Sequence, residues 1–144
     1  MKCKAIIISI KGIKLSQREK KLLSKEKPWG VILFKRNLQS FDQIKKLTSE
    51  IKFFTKNKNF PILIDEEGLS VSRLRKLINH NFTSYFFGNL LKVNKVLCTN
   101  LLNQYIKSLC SILRNLGINI NTIPVLDVLR HNTNKIIGFR SFSK

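Results

Sequence analysis

The chain has 144 residues, of which 43% are hydrophobic and ten are Phe, so it is a single folded domain with material for a core. Its 27 Lys and Arg against eight acids give a formal charge of +19, enough to attract polyanions at low salt. These basic residues are scattered along the chain, and the densest group, Arg18 to Lys27, has no interleaved Phe or Tyr for base stacking, which argues against nucleic acid as the specific partner.

Ala5–Ile10 reads as the first strand; its apolar run is too short and too Ile-rich for a signal peptide, and no apolar run approaches the roughly 18 to 20 residues of a membrane span. Ser16 with Glu19 three residues later forms a capping box that opens a helix carrying Leu22 and Leu23. Pro28-Trp29-Gly30 breaks that helix, and Val31–Phe34 is the second strand, ending in Lys35-Arg36-Asn37. Ser40 and Gln43 repeat the capping signature. Phe41, Ile44, Leu47, Ile51 and Phe54 then follow at helical spacing.

Pro61–Ile64 is the third strand, wholly apolar and therefore of the kind buried on both faces. After a polar and aromatic stretch around His80–Gly88, a long helix runs from Val96 to Leu116, with Gly117 placed to close it in a left-handed cap. Ile118–Val125 is the fourth strand, followed by Leu126-Asp127-Val128. Cys3, Cys98 and Cys110 are odd in number and lack metal-ligand spacing; reduced cysteines fit a cytoplasmic protein.

Strands alternating with helices predict right-handed crossovers and a parallel sheet. The abrupt change at the third strand is the most informative point. Asp65, Glu66 and Glu67 stand together in a chain with eight acids, directly after an apolar strand and ahead of Gly68 and Arg73. Polar groups at the carboxyl ends of parallel strands sit where α/β folds bind ligands. The competing reading makes Glu66 and Glu67 a solvated turn and Asp65 a cap. Arg36, Asn37 and Asp127 add to the same polar rim, as in a (β/α)₈ barrel, but only four strands are visible against the roughly 250 residues such a barrel takes.

Four segments occur in order: Gly30-Val31-Ile32-Leu33-Phe34-Lys35-Arg36-Asn37, Leu63-Ile64-Asp65-Glu66-Glu67-Gly68, Pro124-Val125-Leu126-Asp127-Val128, and Ile137-Gly138-Phe139-Arg140-Ser141-Phe142-Ser143. Together they resemble the N-terminal half of the bacterial β-N-acetylhexosaminidases of glycoside hydrolase family 3, over essentially the whole chain, residues 1–144. The resemblance implies a partial (β/α)₈ barrel with about four strand–helix units and an enzyme that removes terminal N-acetylglucosamine from muropeptides in peptidoglycan recycling, without a cofactor or metal. It implies that Asp65 and Arg73 hold the sugar, that Arg140 is a further sugar contact, and that Glu67 supports them. A carboxylate can accept two sugar hydroxyls and a guanidinium can fix a carbonyl or hydroxyl pair, so the chemistry agrees.

This sequence departs from the family pattern Asp-Gln-Glu-Gly-Gly-Arg-Val-Gln-Arg at Glu66, Leu69, Ser70 and Ser72, and Phe139 replaces an acid beside Arg140. If position 69 takes a positive φ, Leu69 is strained; Phe139 removes a group expected to orient Arg140. The family's acid/base histidine, in a Lys-His-Phe-Pro-Gly-His loop, and its aspartate nucleophile are expected beyond residue 144. His80 and His131 stand in no such motif and read as surface or satisfied-loop histidines. A retaining glycosidase needs both groups, so the isolated chain is expected to be inactive. The alternative is a non-catalytic sugar-binding module, or a half-barrel completed by a separate C-terminal half or by self-association through its open edges.

Overall fold

The computed structural model describes residues 3–143. Four strands, β1 (Lys4–Ser9), β2 (Pro28–Leu33), β3 (Ile62–Ile64) and β4 (Ile120–Asn121), form one sheet in chain order with every neighbouring pair parallel. An order that never reverses, with right-handed crossovers, keeps the connecting helices on one face, which is the beginning of a (β/α) barrel. The expected class, α/β with parallel strands, is the one observed.

The helices start where their caps dictate. α1 (Gln17–Glu26) opens with Ser16 Oγ accepting the Glu19 N–H while Glu19 Oε2 accepts the Ser16 N–H at 2.8 Å. α2 (Phe41–Thr55) opens with Ser40 Oγ accepting the Gln43 N–H, but the Gln43 side chain is bonded elsewhere: Oε1 accepts from Gln39 N–H and Nε2 donates to the Ile13 and Asn37 carbonyls. It ties the β1–α1 and β2–α2 loops together. The apolar stripe of α2 buries Ile44, Leu47 and Ile51 against Val31, Leu33, Ile62 and Ile64 of the sheet, with Leu23 and Leu113 closing the layer. α4 (Lys95–Asn115) ends at Gly117, whose φ of 77° carries the chain back toward the sheet. A Cβ there would meet the Thr48 hydroxyl, which donates to the Leu116 carbonyl at 2.8 Å.

Three elements differ from expectation. The polar and aromatic stretch around His80–Gly88, given no element from the sequence, runs into α3 (Ser84–Val93), capped by the Thr83 hydroxyl. Its Gly88 weakens helical propensity, but packing outweighs this: Phe87 is buried with its ring 5.7 Å from that of Tyr105. Gly88 is required because a Cβ there would overlap the Phe142 carbonyl. The fourth strand is far shorter than residues 118–125: after Thr122 N–H bonds to the Ile64 carbonyl the chain leaves the sheet, and Pro124 has no N–H to continue a ladder. The second strand begins earlier, at Pro28.

β1 and β4 are the sheet's two edges. On β1, Ile6 and Ile7 are each nearly half exposed, so one margin of the sheet shows apolar side chains to solvent. Among the described residues no helix is long and apolar enough to cross a membrane.

Candidate functional site

β3 ends in three acids, and each takes a different environment. Asp65 is partly exposed: Oδ2 accepts from Arg73 Nη2 at 2.8 Å and Oδ1 accepts from the Thr122 hydroxyl at 2.8 Å. Each oxygen therefore has a lone-pair site left, and Asp65 and Arg73 keep 22% and 30% of their side chains in solvent. The Arg73 guanidinium also lies 5.8 Å from the centre of the Phe34 ring, which Arg36 approaches at 4.8 Å. Arg73 Nε is buried without a protein partner.

Glu66 is fully buried, which overturns the solvated-turn reading for this residue. Its Oε2 accepts the backbone N–H groups of Arg73 and Leu74 at 2.8 and 2.9 Å, pinning the loop that presents Arg73. Asn121 of β4 braces the Glu66 backbone from the other side, accepting its N–H and donating to its carbonyl. Burial by itself raises the Glu66 carboxyl; contacts from His80, Ser72 and the Leu74 N–H outweigh burial and leave it below its ordinary value.

His80 is correspondingly buried, not on the surface. Its Nε2 lies 2.6 Å from Glu66 Oε1, but outside the alignment of a ring hydrogen bond. Its Nδ1 is 3.0 Å from the Tyr105 hydroxyl on α4. Burial, and then the Glu66 charge, push the Tyr105 phenol up. The Glu66 that departs from the family glutamine is thus accommodated by a histidine further along the same β3–α3 connection.

Glu67 turns the other way and binds Arg140 in a fork, Nε to Oε2 and Nη2 to Oε1, both at 2.8 Å, with Glu67 largely buried. The bonds to Glu67 push the Arg140 guanidinium up; burial opposes them, and the charges of Asp127 and Asp65 add to them. The expectation that Phe139 deprives Arg140 of an orienting acid is therefore corrected, because Glu67 supplies it across the site. Gly68, at φ 121°, makes the turn, and Leu69 has no positive φ, so the expected strain at Leu69 is absent. Positive φ among described non-glycine residues falls at Lys27 and Lys56. Beside Glu67 lies an apolar hollow of about 630 Å³, walled by Phe82, Phe87, Tyr105, Leu109 and Leu126.

Of the residues singled out from the sequence, Asp65 and Arg73 are in direct contact, and Arg140 reaches the same strand end through Glu67. Asp127 lies on an exposed loop well past the end of β4 and closes no strand, and His131 is exposed. Sequence reasoning missed His80, Tyr105, Asn121 and Thr122. The last two carried a faint signal, being polar side chains inside an otherwise apolar predicted strand.

A parallel sheet with helices between its strands, and carboxylates and guanidinium groups gathered at the strands' carboxyl ends, is the architecture of an α/β, barrel-type domain. Residues 3–144 match the family model described as the glycosyl hydrolase family 3 N terminal domain, and the chain belongs to that family. It is 29% identical over 139 residues to a beta-hexosaminidase of Thioalkalivibrio sulfidiphilus, covering 96% of this chain and 40% of that protein. It is 34% identical over 137 residues to a beta-hexosaminidase of Pasteurella multocida, covering 95% and 38%. The crystal structure of NagZ from Neisseria gonorrhoeae in complex with N-trifluoroacetyl-D-glucosamine superposes with a TM-score of 0.88 at 29% identity, over 98% of this chain and 40% of that one. The chain thus spans about two fifths of the length of the curated relatives it matches.

Proposed function

We propose that this chain is the sugar-recognising N-terminal part, residues 1–144, of a family 3 β-N-acetylhexosaminidase catalytic barrel. It acts on terminal N-acetylglucosamine of cell-wall saccharides in the cytoplasm, during peptidoglycan recycling. The observation that carries the reading is the half-open Asp65–Arg73 pair at the end of β3, in a chain whose structural neighbour holds an N-acylglucosamine. Asp65 accepts two sugar hydroxyls, Arg73 and Arg140 donate to hydroxyl and carbonyl oxygens, and Glu67 holds Arg140 in place. In this reading the acid/base and the nucleophile that a retaining glycosidase needs lie outside residues 1–144; the match covers 40% of the Thioalkalivibrio relative's length. Three free cysteines, two of them exposed, are compatible with a reducing compartment.

Open edges at β1 and β4 and the hollow beside Glu67 favour a second element in this reading, one that pairs with those edges and completes the barrel. The test is calorimetric or NMR titration of the 144-residue chain with N-acetylglucosamine, with Asp65→Ala as control, alongside an aryl N-acetylglucosaminide assay. Binding lost in the variant, with no turnover by either protein, is the expected result. Turnover that disappears in Asp65→Ala would place a complete catalytic apparatus within these residues and overturn the division of labour.

A further inference from the structure

The Asp65–Arg73 pair is held from behind by the buried Glu66 and His80. Arg73 has its backbone N–H on Glu66 Oε2 and its guanidinium on Asp65, so the position of one carboxylate sets the other. Glu66 in turn has one oxygen committed to the loop and the other against His80. His80 is backed by the Tyr105 hydroxyl, and Tyr105 belongs to α4, the longest helix of the domain.

We propose that His80 and Tyr105 are positioning residues of the sugar site: together they hold the buried Glu66 carboxylate so that the Arg73 loop stays locked against Asp65. This rests on the sugar-binding reading of Asp65 and Arg73 and adds the residues that set its geometry. The physical argument is the cost of leaving a buried carboxylate alone. Glu66 is 0% exposed, and His80 Nε2, 2.6 Å from Oε1, is the polar group set against that oxygen, so removing the imidazole strips a buried carboxylate of it. A carboxylate so placed either takes up a proton or drags the loop outward toward water. In both cases Oε2 weakens as an acceptor for the Arg73 and Leu74 N–H groups, and Arg73 swings from Asp65. A histidine that merely filled space would show no such dependence on the charge of its neighbour.

That dependence is the test. The variants His80→Ala, Glu66→Gln, the double variant and Tyr105→Phe are compared in the 144-residue chain, with N-acetylglucosamine as probe and the exchange of the Arg73 Nε proton, buried here, followed by NMR. His80→Ala is expected to weaken sugar binding at least about tenfold and to expose the Nε proton to exchange. The double variant, with no charge left unpaired, recovers most of both. Tyr105→Phe, which keeps the ring in the core, weakens binding by a few-fold with the fold intact, so the proposal stays readable if His80→Ala unfolds.

Unchanged affinity and exchange in folded His80→Ala, or a double variant as impaired as His80→Ala, overturns the proposal. If no variant and not even the wild type binds the sugar, the proposed function falls, while the Nε exchange still decides whether His80 positions Arg73.

Discussion

Replacing Gly68 by alanine tests whether the acid loop is as tightly determined as the geometry implies. Gly68 has a φ of 121°, where a side chain costs about 1–3 kcal/mol. A Cβ would also lie 2.8 Å from the Phe82 carbonyl oxygen and 3.2 Å from the Tyr105 hydroxyl. The loop cannot retreat freely, because the same Phe82 oxygen accepts the Leu69 N–H at 2.9 Å; lengthening that bond costs about 1 kcal/mol more. The sum is a destabilisation of about 2–4 kcal/mol, or about 6–12 °C in Tm for a domain of this size at about 3 °C per kcal/mol. Leu69→Gly is the matched control: with no positive φ to relieve, it loses no more than about 1 kcal/mol. Urea unfolding and calorimetry of the two variants measure the difference. Gly68→Ala within about 0.5 kcal/mol of wild type, or a stabilising Leu69→Gly, would show that the strained backbone sits at position 69 and would refute the reasoning.

Acidification should loosen the domain in a defined direction. The folded-state Glu66 carboxyl lies below its ordinary value of 4.5, so its contribution is present above that value and disappears as pH falls through the folded one. The capping carboxylate Glu19, also lowered, acts with the same sign. Thermal unfolding from pH 6 down to pH 3 should therefore show a falling midpoint, and Glu66→Gln should flatten the slope; an unaltered slope would count against an ionised Glu66. Glu67→Gln keeps the shape of the fork but removes its charge, and should cost about 1–3 kcal/mol and free Arg140, measured as weaker N-acetylglucosamine binding with Asp65–Arg73 undisturbed.

The alternation of capped, amphipathic helices with short apolar strands was sufficient to establish a parallel α/β sheet, since capping at Ser16 and Ser40 and the stripe on α2 are local properties of a few neighbouring residues. The cluster Asp65, Glu66 and Glu67 was legible for the same reason, as an abrupt change of polarity at a strand end. Its division of labour was not. Which acid faces solvent, which is buried and which grips Arg140 depends on groups 7 to 73 residues away in sequence. α3 was hidden because its helical state comes from Phe87 packing on Tyr105 and from the space Gly88 leaves for Phe142, and propensity registers neither. His80 had no motif because its partners are a carboxylate 14 residues earlier and a hydroxyl 25 residues later, and only the packing of α4 against the β3 loop brings them within hydrogen-bonding distance.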